Sequence, residues 1–328
     1  MLYETLDDKS KVLTSKKVTD IISEDEGVAV KCADGSSYEG SIVIGADGIG
    51  SAARKAIRTL ALKAGIDADE ERPFRSTYRV LWFAAPRPDT LPKGAGIIAF
   101  ATPASVQSVC GDEKAWFFVY ERLEKETNEK AVYTEKDINE MVAKWGHLVA
   151  DEGVRIKDLF ATRQKAGLIN LDEGIIKHWS GGRIVLVGDS VHKFTPSSAL
   201  GYNNGVQDVA VALNEIVPLI RDSGNPCVEA LGSAFDRYKE QRTRSLAKDY
   251  EESAMATRSQ TYDNFFLWVL CRLLIPYFGF VQKFLLNLNI NERLGKSRTL
   301  DFVPGTEPFS GKIPWSFPMK GAADKEAK

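Results

Sequence analysis

The chain is poor in the residues that mark metal proteins, secreted proteins and nucleic-acid binders. Its 328 residues include three histidines and four cysteines. Cys32, Cys110, Cys227 and Cys271 are far apart, with no CxxC pair and no histidine nearby. That spacing supports neither a zinc site nor a disulfide framework, and the expectation is reduced thiols in an intracellular, cytoplasmic or membrane-associated protein. Charge of one sign is also missing. Forty-three lysines and arginines face 45 acids, for a net charge of -2, and the two signs are mixed along the chain. With no clustered basic surface, a nucleic-acid partner is not expected. The first residues, MLYETLDDKSKV, lack the basic stretch and apolar core of a signal peptide. The one long hydrophobic run reads as a bilayer-spanning anchor only as the lesser alternative. The most apolar stretch is Phe265–Leu288. Its core, Phe265 to Val281, falls short of the ~20 residues a span requires. Arg272 lies in the middle, where it would cost about 2.5–3.5 kcal/mol, and Pro276 would kink a helix. A buried helix pair and a surface that dips into the membrane both fit this stretch. One further absence matters: no GxGxxG motif occurs, and the early glycines Gly27, Gly35 and Gly40 are isolated.

What is present is an alternation of strand and helix signals. Lys17 to Ser23, Gly27 to Ala33 and Tyr38 to Ile44 read as strands, with a turn at Asp34-Gly35. Ile42-Val43-Ile44 is a continuous apolar run, the pattern of a strand buried on both faces. The sequence GADGIGSAARKAIRTL follows, a glycine-rich turn opening an amphipathic helix. From Phe74 to Leu123 the runs TYRVLWFAA, GIIAFAT, SVQSVC and AWFFVYERL predict an antiparallel sheet. Thr134 to Gly146 predicts a helix, and Asp151 to Phe160 another short element. Arg183 to Val187 reads as a buried strand ending in Gly188-Asp189. Helices are expected from Gly205 to about Ile220 and from about Cys227 to Ala256.

Two glycine-acid turns carry the chemistry. The first is Asp47-Gly48, with Ser51 and Arg54, at the end of the Ile42–Ile44 strand. A strand that ends in glycines and opens a helix presents unpaired backbone N–H groups to an anion or a polar ligand. The second is Gly188-Asp189, followed by His192, Pro196, Gly201, Asn203 and Asp208. A carboxylate at the end of a buried strand is placed to accept hydrogen bonds from sugar-like hydroxyls. Taken singly, either motif is also what an ordinary turn or helix cap would give.

In order and context, the blocks Gly45-Ala46-Asp47-Gly48…Ser51…Arg54 and Gly188-Asp189…His192…Pro196…Gly201…Asn203…Asp208 resemble the DG and GD fingerprints of class A flavoprotein monooxygenases, the para-hydroxybenzoate-hydroxylase type. The segment PYFGFVQKFLLNLNINERLGKS is similar to fungal members that act on prenylated secondary metabolites. The resemblance implies an α/β fold: an incomplete Rossmann-like FAD-binding domain, an antiparallel-sheet substrate domain and a helical C-terminal region. It implies FAD as cofactor, NAD(P)H as reductant, O2 as co-substrate and a small lipophilic substrate, with one oxygen atom passed to that substrate. Asp189 would accept from the ribityl chain. The loop holding Gly201, Tyr202 and Asn203 would turn its amides toward the pyrophosphate and isoalloxazine. Asp47, Gly48 and Arg54 would serve FAD and NAD(P)H. No side chain is required as a nucleophile, and no metal is implied.

Two features depart from the family pattern. Ala199 and Leu200 stand where a glycine and a glutamine are usual ahead of Gly201. The segment bearing GxGxxG, whose glycines meet the pyrophosphate, would lie outside the chain, so that Met1 falls inside the FAD domain. The implied division is 1–72 for part of the FAD domain, 73–180 for the substrate sheet, 181–260 for the FAD domain continued, and 261–328 for an apolar helical region and tail. A chain that keeps the substrate sheet as a binding protein without retaining FAD is the alternative reading. In the sheet, Arg79 could orient a substrate anion or be a solvated strand arginine. Trp82, Trp116, Phe117 and Tyr120 could line a hydrophobic pocket or simply fill the core. His192 is expected to bond to backbone rather than act in catalysis, and His147 and His178 to be ordinary boundary residues.

Overall fold

The computed structural model describes residues 2–151, 153–279, 295–306 and 314–321. Two short 3-10 turns, Leu2–Thr5 and Lys9–Lys11, lead into a three-stranded meander of β1 (Val18–Ser23), β2 (Val28–Cys32) and β3 (Ser37–Gly40). Gly35, at φ 84°, takes the left-handed position of the β2–β3 turn. β4 (Val43–Gly45) leaves the meander for a different sheet, and α1 (Ala52–Lys63) follows it.

The next region contains β5 (Arg75–Pro86), β6 (Gly96–Ala99), β7 (Ala104–Cys110) and β8 (Lys114–Thr127), then α2 (Glu135–Trp145). A small ribbon of β9 (Val149–Asp151) and β10 (Val154–Arg155) precedes α3 (Ile156–Ala161). β11 (Lys165–Ile175), β12 (Ser180–Gly181), β13 (Ile184–Leu186) and β14 (His192–Lys193) complete the strands. The large antiparallel sheet has the order β14-β11-β5-β8-β7-β6. The four runs expected from the sequence fall in it as expected. β11, a long central strand, was not foreseen. Its burial alternates poorly, because Gly167, Asn170 and Asp172 break the apolar period that would advertise it.

β12, β13 and β4 form a separate small sheet in which β13 and β4 run parallel. The expectation of burial on both faces fails for β4, which also lies at the sheet edge: Ile44 is 42% exposed. The apolar run was correctly a strand, but it has a neighbour on one side only among the described residues.

α4 (Leu200–Ser223) and α5 (Val228–Gln260) pack against β13. Leu186 and Val185 of the strand, Ile57 of α1, Val211 and Ile216 of α4, and Phe235 and Tyr238 of α5 share one core. Arg183 is buried and fastens this core to the meander. Its guanidinium donates to the carbonyls of Glu24, Asp25 and Ser41 and to the side chain of Asn225. A second core lies under the large sheet, where Leu81, Phe83 and Phe117 meet Ile138 and Met141 of α2 and Phe160 of α3.

The apolar C-terminal stretch opens as α6 (Phe265–Val269) and continues through a π-helical turn at Leu270–Leu274 and a 3-10 turn at Ile275–Phe278. Among the described residues no helix is long and apolar enough to cross a membrane. The rest of the stretch, 280–288, lies outside the described residues.

Candidate active site

Because β4 and β13 are parallel neighbours, the two glycine-acid turns that end them emerge side by side. Ser190, next to Asp189, joins them directly. Its Oγ accepts from the Gly48 amide at 2.9 Å and donates to Asp47 Oδ1 at 3.2 Å. Arg54 Nη1 donates to the Ser190 carbonyl at 3.0 Å. Gly48 and Ser190 are 142 positions apart in the chain, so convergence here is a property of the fold. Ser190 itself was missed in the sequence, where a serine after an acid carries no signal.

The first turn is occupied with holding its own shape. Asp47 accepts from the Ser51 hydroxyl and from the amides of Ala52 at 2.6 Å and Ala53 at 3.1 Å, and so caps α1. Burial works against its charge, yet the bonds from Ser51, Ala53 and Ala52 hold the carboxyl below its ordinary pKa. Arg54 is buried, donates to the carbonyls of Gly48 and Ile49, and lies 5.1 Å from the Phe74 ring.

The second turn is built on Asp208, which is wholly buried. Asp208 Oδ2 accepts from the Gly188 amide at 2.9 Å and lies 2.6 Å from His192 Nε2, while Oδ1 accepts from Arg242 Nε at 2.7 Å. The bond to His192 therefore goes to a carboxylate and not to backbone as expected. The carboxylate offers only lone pairs, which assigns the shared proton to Nε2; Nδ1 has no hydrogen-bond partner. Arg242 Nη2 also donates to the Asn204 side chain at 2.6 Å, and Asn204 in turn to Asp249 at 2.9 Å. Burial opposes ionisation of Asp208, but His192 and Arg242 outweigh it and hold its pKa below the ordinary value. Gly188, at φ 63°, and Gly205 approach so closely that a Cβ on Gly205 would come within 3.5 Å of the Gly188 backbone. That approach lets α4 pass tightly across the turn.

Asp189 is left facing outward. Its side chain is 40% exposed and ion-paired with Lys193. A Cβ on Gly201 would stand 3.9 Å from Asp189 Oδ1, which places this carboxylate at the first turn of α4. The sequence suggested that Gly201, Tyr202 and Asn203 lie in a loop before a helix starting at Gly205. They are instead the first turn of α4. Ala199 ends the preceding 3-10 turn in the left-handed region, at φ 54° and ψ 28°, and provides no side-chain cap. The leading amides of α4 therefore have no intrahelical acceptor and point outward from a positive helix end. Tyr202 is 71% exposed, and Asn203 donates weakly back to the Ala199 carbonyl at 3.4 Å.

The segment before α4 is locked by hydroxyls from α5. Thr195 Oγ1 lies 3.0 Å from Ser253 Oγ, Ser197 Oγ lies 2.6 Å from Thr257 Oγ1, and Ser198 Oγ donates to Ser253 Oγ at 2.9 Å. The large sheet reaches the same segment through Gln107, whose Nε2 donates to the Ser197 carbonyl at 3.3 Å while its Oε1 accepts from Tyr120 at 2.7 Å. The strand register places Trp82, Phe118, Gln107 and Ile98 in one row across four strands. Trp116 occupies the next row on the same face and is 41% exposed. Trp82 is half-buried, and Phe117 points into the opposite core.

Arg79 belongs to that opposite side too. It donates to Glu121 Oε2 at 2.6 Å, and Glu121 also accepts from Lys144 at 2.6 Å and Trp145 Nε1 at 2.9 Å. Arg79, with its side chain 28% exposed, thus lies on the face away from Gln107 and Trp82, and two α2 side chains complete its ion pair. His178 is held by Asp69 at 3.0 Å, and His147 rests near Trp145 with ring centres 6.1 Å apart.

A family model described as an FAD binding domain matches residues 4–253. The chain is 31% identical over 235 residues to the FAD-dependent monooxygenase SAT1 of Stachybotrys chartarum, covering 69% of this chain and 80% of that protein. It is 31% identical over 288 residues to the FAD-dependent monooxygenase DEP2 of Fusarium langsethiae, covering 85% of this chain and 55% of that protein. The FAD-dependent monooxygenase ausM of Penicillium brasilianum is 29% identical over 287 residues, with 85% and 60% covered. The chain therefore spans little more than half the length of two of these three relatives. In fold it is similar to Klebsiella pneumoniae HpxO complexed with FAD and uric acid, at a TM-score of 0.60 and 19% identity, covering 79% of this chain and 62% of that one. A salicylate hydroxylase gives a TM-score of 0.57 at 17% identity, with 82% and 70% covered. With a matching FAD-domain model over most of its length and relatives that share the same name, this chain belongs to the FAD-dependent monooxygenases.

Proposed function

We propose that the chain forms the isoalloxazine- and substrate-facing part of an FAD- and NAD(P)H-dependent monooxygenase that hydroxylates or epoxidises a lipophilic secondary metabolite, such as a prenylated aromatic or a terpenoid. The observation that carries this reading is the meeting of three features in one place. They are an outward carboxylate at a strand end, an uncapped helix N-terminus beside it, and a half-open apolar sheet face tied to the same segment through Gln107 and Ser197.

These residues fit a flavin. Asp189 offers lone pairs to ribityl hydroxyls, and the amides of Gly201, Tyr202 and Asn203 suit an electron-rich ring edge. Gly201 leaves room beside the carboxylate that a side chain would fill. When bound, FAD supplies redox chemistry: it accepts reducing equivalents from NAD(P)H and, with O2, delivers one oxygen atom to the substrate. The protein's part is positioning and exclusion of water. Asp47, Gly48 and Arg54 keep the first turn in register with Ser190 and present its backbone to the cofactors. Trp82, Trp116 and Phe118 form an apolar wall for the substrate.

Tyr120 and Gln107 are polar groups on the same face of the sheet. Burial pushes the Tyr120 phenol well above its ordinary pKa, so it stays protonated and donates. The exposed Phe265, Phe266 and Tyr277 support a membrane-surface contact by which a lipophilic substrate is collected.

A chain incubated with FAD and passed through gel filtration should keep a flavin absorption band. Colourless protein that is folded by circular dichroism would overturn the reading.

A further inference from the structure

A second, open cleft lies between α5 and the strand ends of the large sheet, and two of the residues lining it, Gly174 and Ile175, pair with Lys193 and His192 of β14. It is lined by Pro73, Arg75, Glu126, Glu173, Tyr250 and Arg258 and has a volume of about 430 Å³, within the range of small-molecule sites. Glu173 is only 5% exposed. Its Oε1 accepts from Arg258 Nη2 at 2.9 Å and from Thr77 Oγ1 at 3.0 Å. The other halves of this ion pair are unused: Glu173 Oε2 and Arg258 Nη1 are both buried without a hydrogen-bond partner. An unsatisfied buried polar atom is costly, more so when charged. Two on one ion pair, at the edge of a cleft, define what a ligand must bring.

We infer that this cleft binds a small planar molecule ending in a primary carboxamide. The missing groups are one donor for Glu173 Oε2 and one acceptor for Arg258 Nη1, and a carboxamide supplies both side by side. Net charge on the ligand brings no advantage. Glu173 balances Arg258, and Arg75 is held bidentately by Glu70 at 2.8 Å, with Glu126 at 4.0 Å. A carboxylate ligand would satisfy Arg258 but set its charge against Glu173 and Glu126. Tyr250 and Pro73 provide flat apolar walls for the ring that carries the amide. The inference does not rest on the proposed flavin site, since neither Asp47 nor Asp189 lines the cleft, and it is tested without FAD.

The test is a titration of the whole chain, without FAD, with nicotinamide and in parallel with nicotinate, following the backbone amide resonances of Gly174 and Ile175. Nicotinamide should shift both resonances, and nicotinate should bind at least about tenfold more weakly, the factor that about 1.4 kcal/mol of hydrogen bonding gives. Glu173→Gln and Arg258→Met should each weaken nicotinamide by at least about tenfold. Equal or tighter binding of nicotinate, unmoved resonances at these two residues, or unchanged affinity in a folded variant would each overturn the assignment. If a variant does not fold, the comparison of amide with acid on the unaltered chain still decides.

Discussion

Asp208 shows how one buried residue governs an exposed one. It is charged, enclosed and satisfied on every side, by a backbone amide, an imidazole and a guanidinium. Asp208→Asn keeps the shape but leaves Arg242 without a balancing charge. Removing one partner of a buried pair costs about 3–5 kcal/mol, which a urea unfolding curve would register. The sign of the pH effect follows from the depressed pKa. A carboxyl that ionises more readily folded than unfolded contributes stability in full above the ordinary carboxylate pKa of about 4. That contribution is lost as pH falls through the lower folded value. Acid unfolding should therefore steepen below pH about 4, and Asp208→Asn should flatten that part of the stability profile. Ala199 is the opposite case, a residue at odds with its backbone. At φ 54° its Cβ is strained where glycine is not. Ala199→Gly should raise stability by about 0.5–1 kcal/mol, the relief of strain less the added freedom of the unfolded chain. A lower urea midpoint in that variant would contradict the assigned conformation.

Among the elements, those with a clean period were legible in advance, and those shaped by neighbours were not. β5, β7 and β8 are dense in valine and aromatic residues and bounded by turn residues, and were readable as strands. β11 was hidden because Gly167 makes room for the Trp82 indole, where a Cβ would come 2.7 Å from Nε1, and Asn170 and Asp172 bond to Tyr133 and Ser76. Those polar residues serve tertiary partners that no local pattern records. α4 begins at Leu200 and not Gly205 because glycine and asparagine, poor helix formers, are tolerated where α5 braces the turn. Both glycine-acid turns were legible. Their joining through Ser190, and the hydroxyl clasp of Ser253 and Thr257, were not. The ion pair of Arg79 with Glu121, completed by α2, was not legible either, because it depends on tertiary partners. The β4–α1 junction gives a prediction of its own. A Cβ on Gly45 would stand 2.4 Å from Ala53 Cβ and 2.7 Å from Leu186 Cδ2. Gly45→Ala should force the strand from the helix and cost about 1–3 kcal/mol, read as a fall in the thermal midpoint.

At the scale of the whole molecule, two cores hold two surfaces in a fixed relation, one ending in the glycine-acid turns and one presenting the apolar sheet face. Gln107, reaching from the sheet to the Ser197 carbonyl, links them across the gap. The exposed aromatics of α6 add a third surface. Replacing Phe265 and Phe266 together by serine should abolish co-sedimentation with neutral phosphatidylcholine vesicles if that surface meets lipid. Co-sedimentation unchanged by the replacement would remove that role. The account stands on the outward carboxylate beside an uncapped helix being a flavin site, and flavin fluorescence tests it most directly. Titrating FAD with the unaltered chain and with Asp189→Ala should give quenching in the first and an affinity lower by about 10–100-fold in the second, the worth of hydrogen bonds to a charged group. Equal quenching by both folded proteins would contradict the assignment of the site.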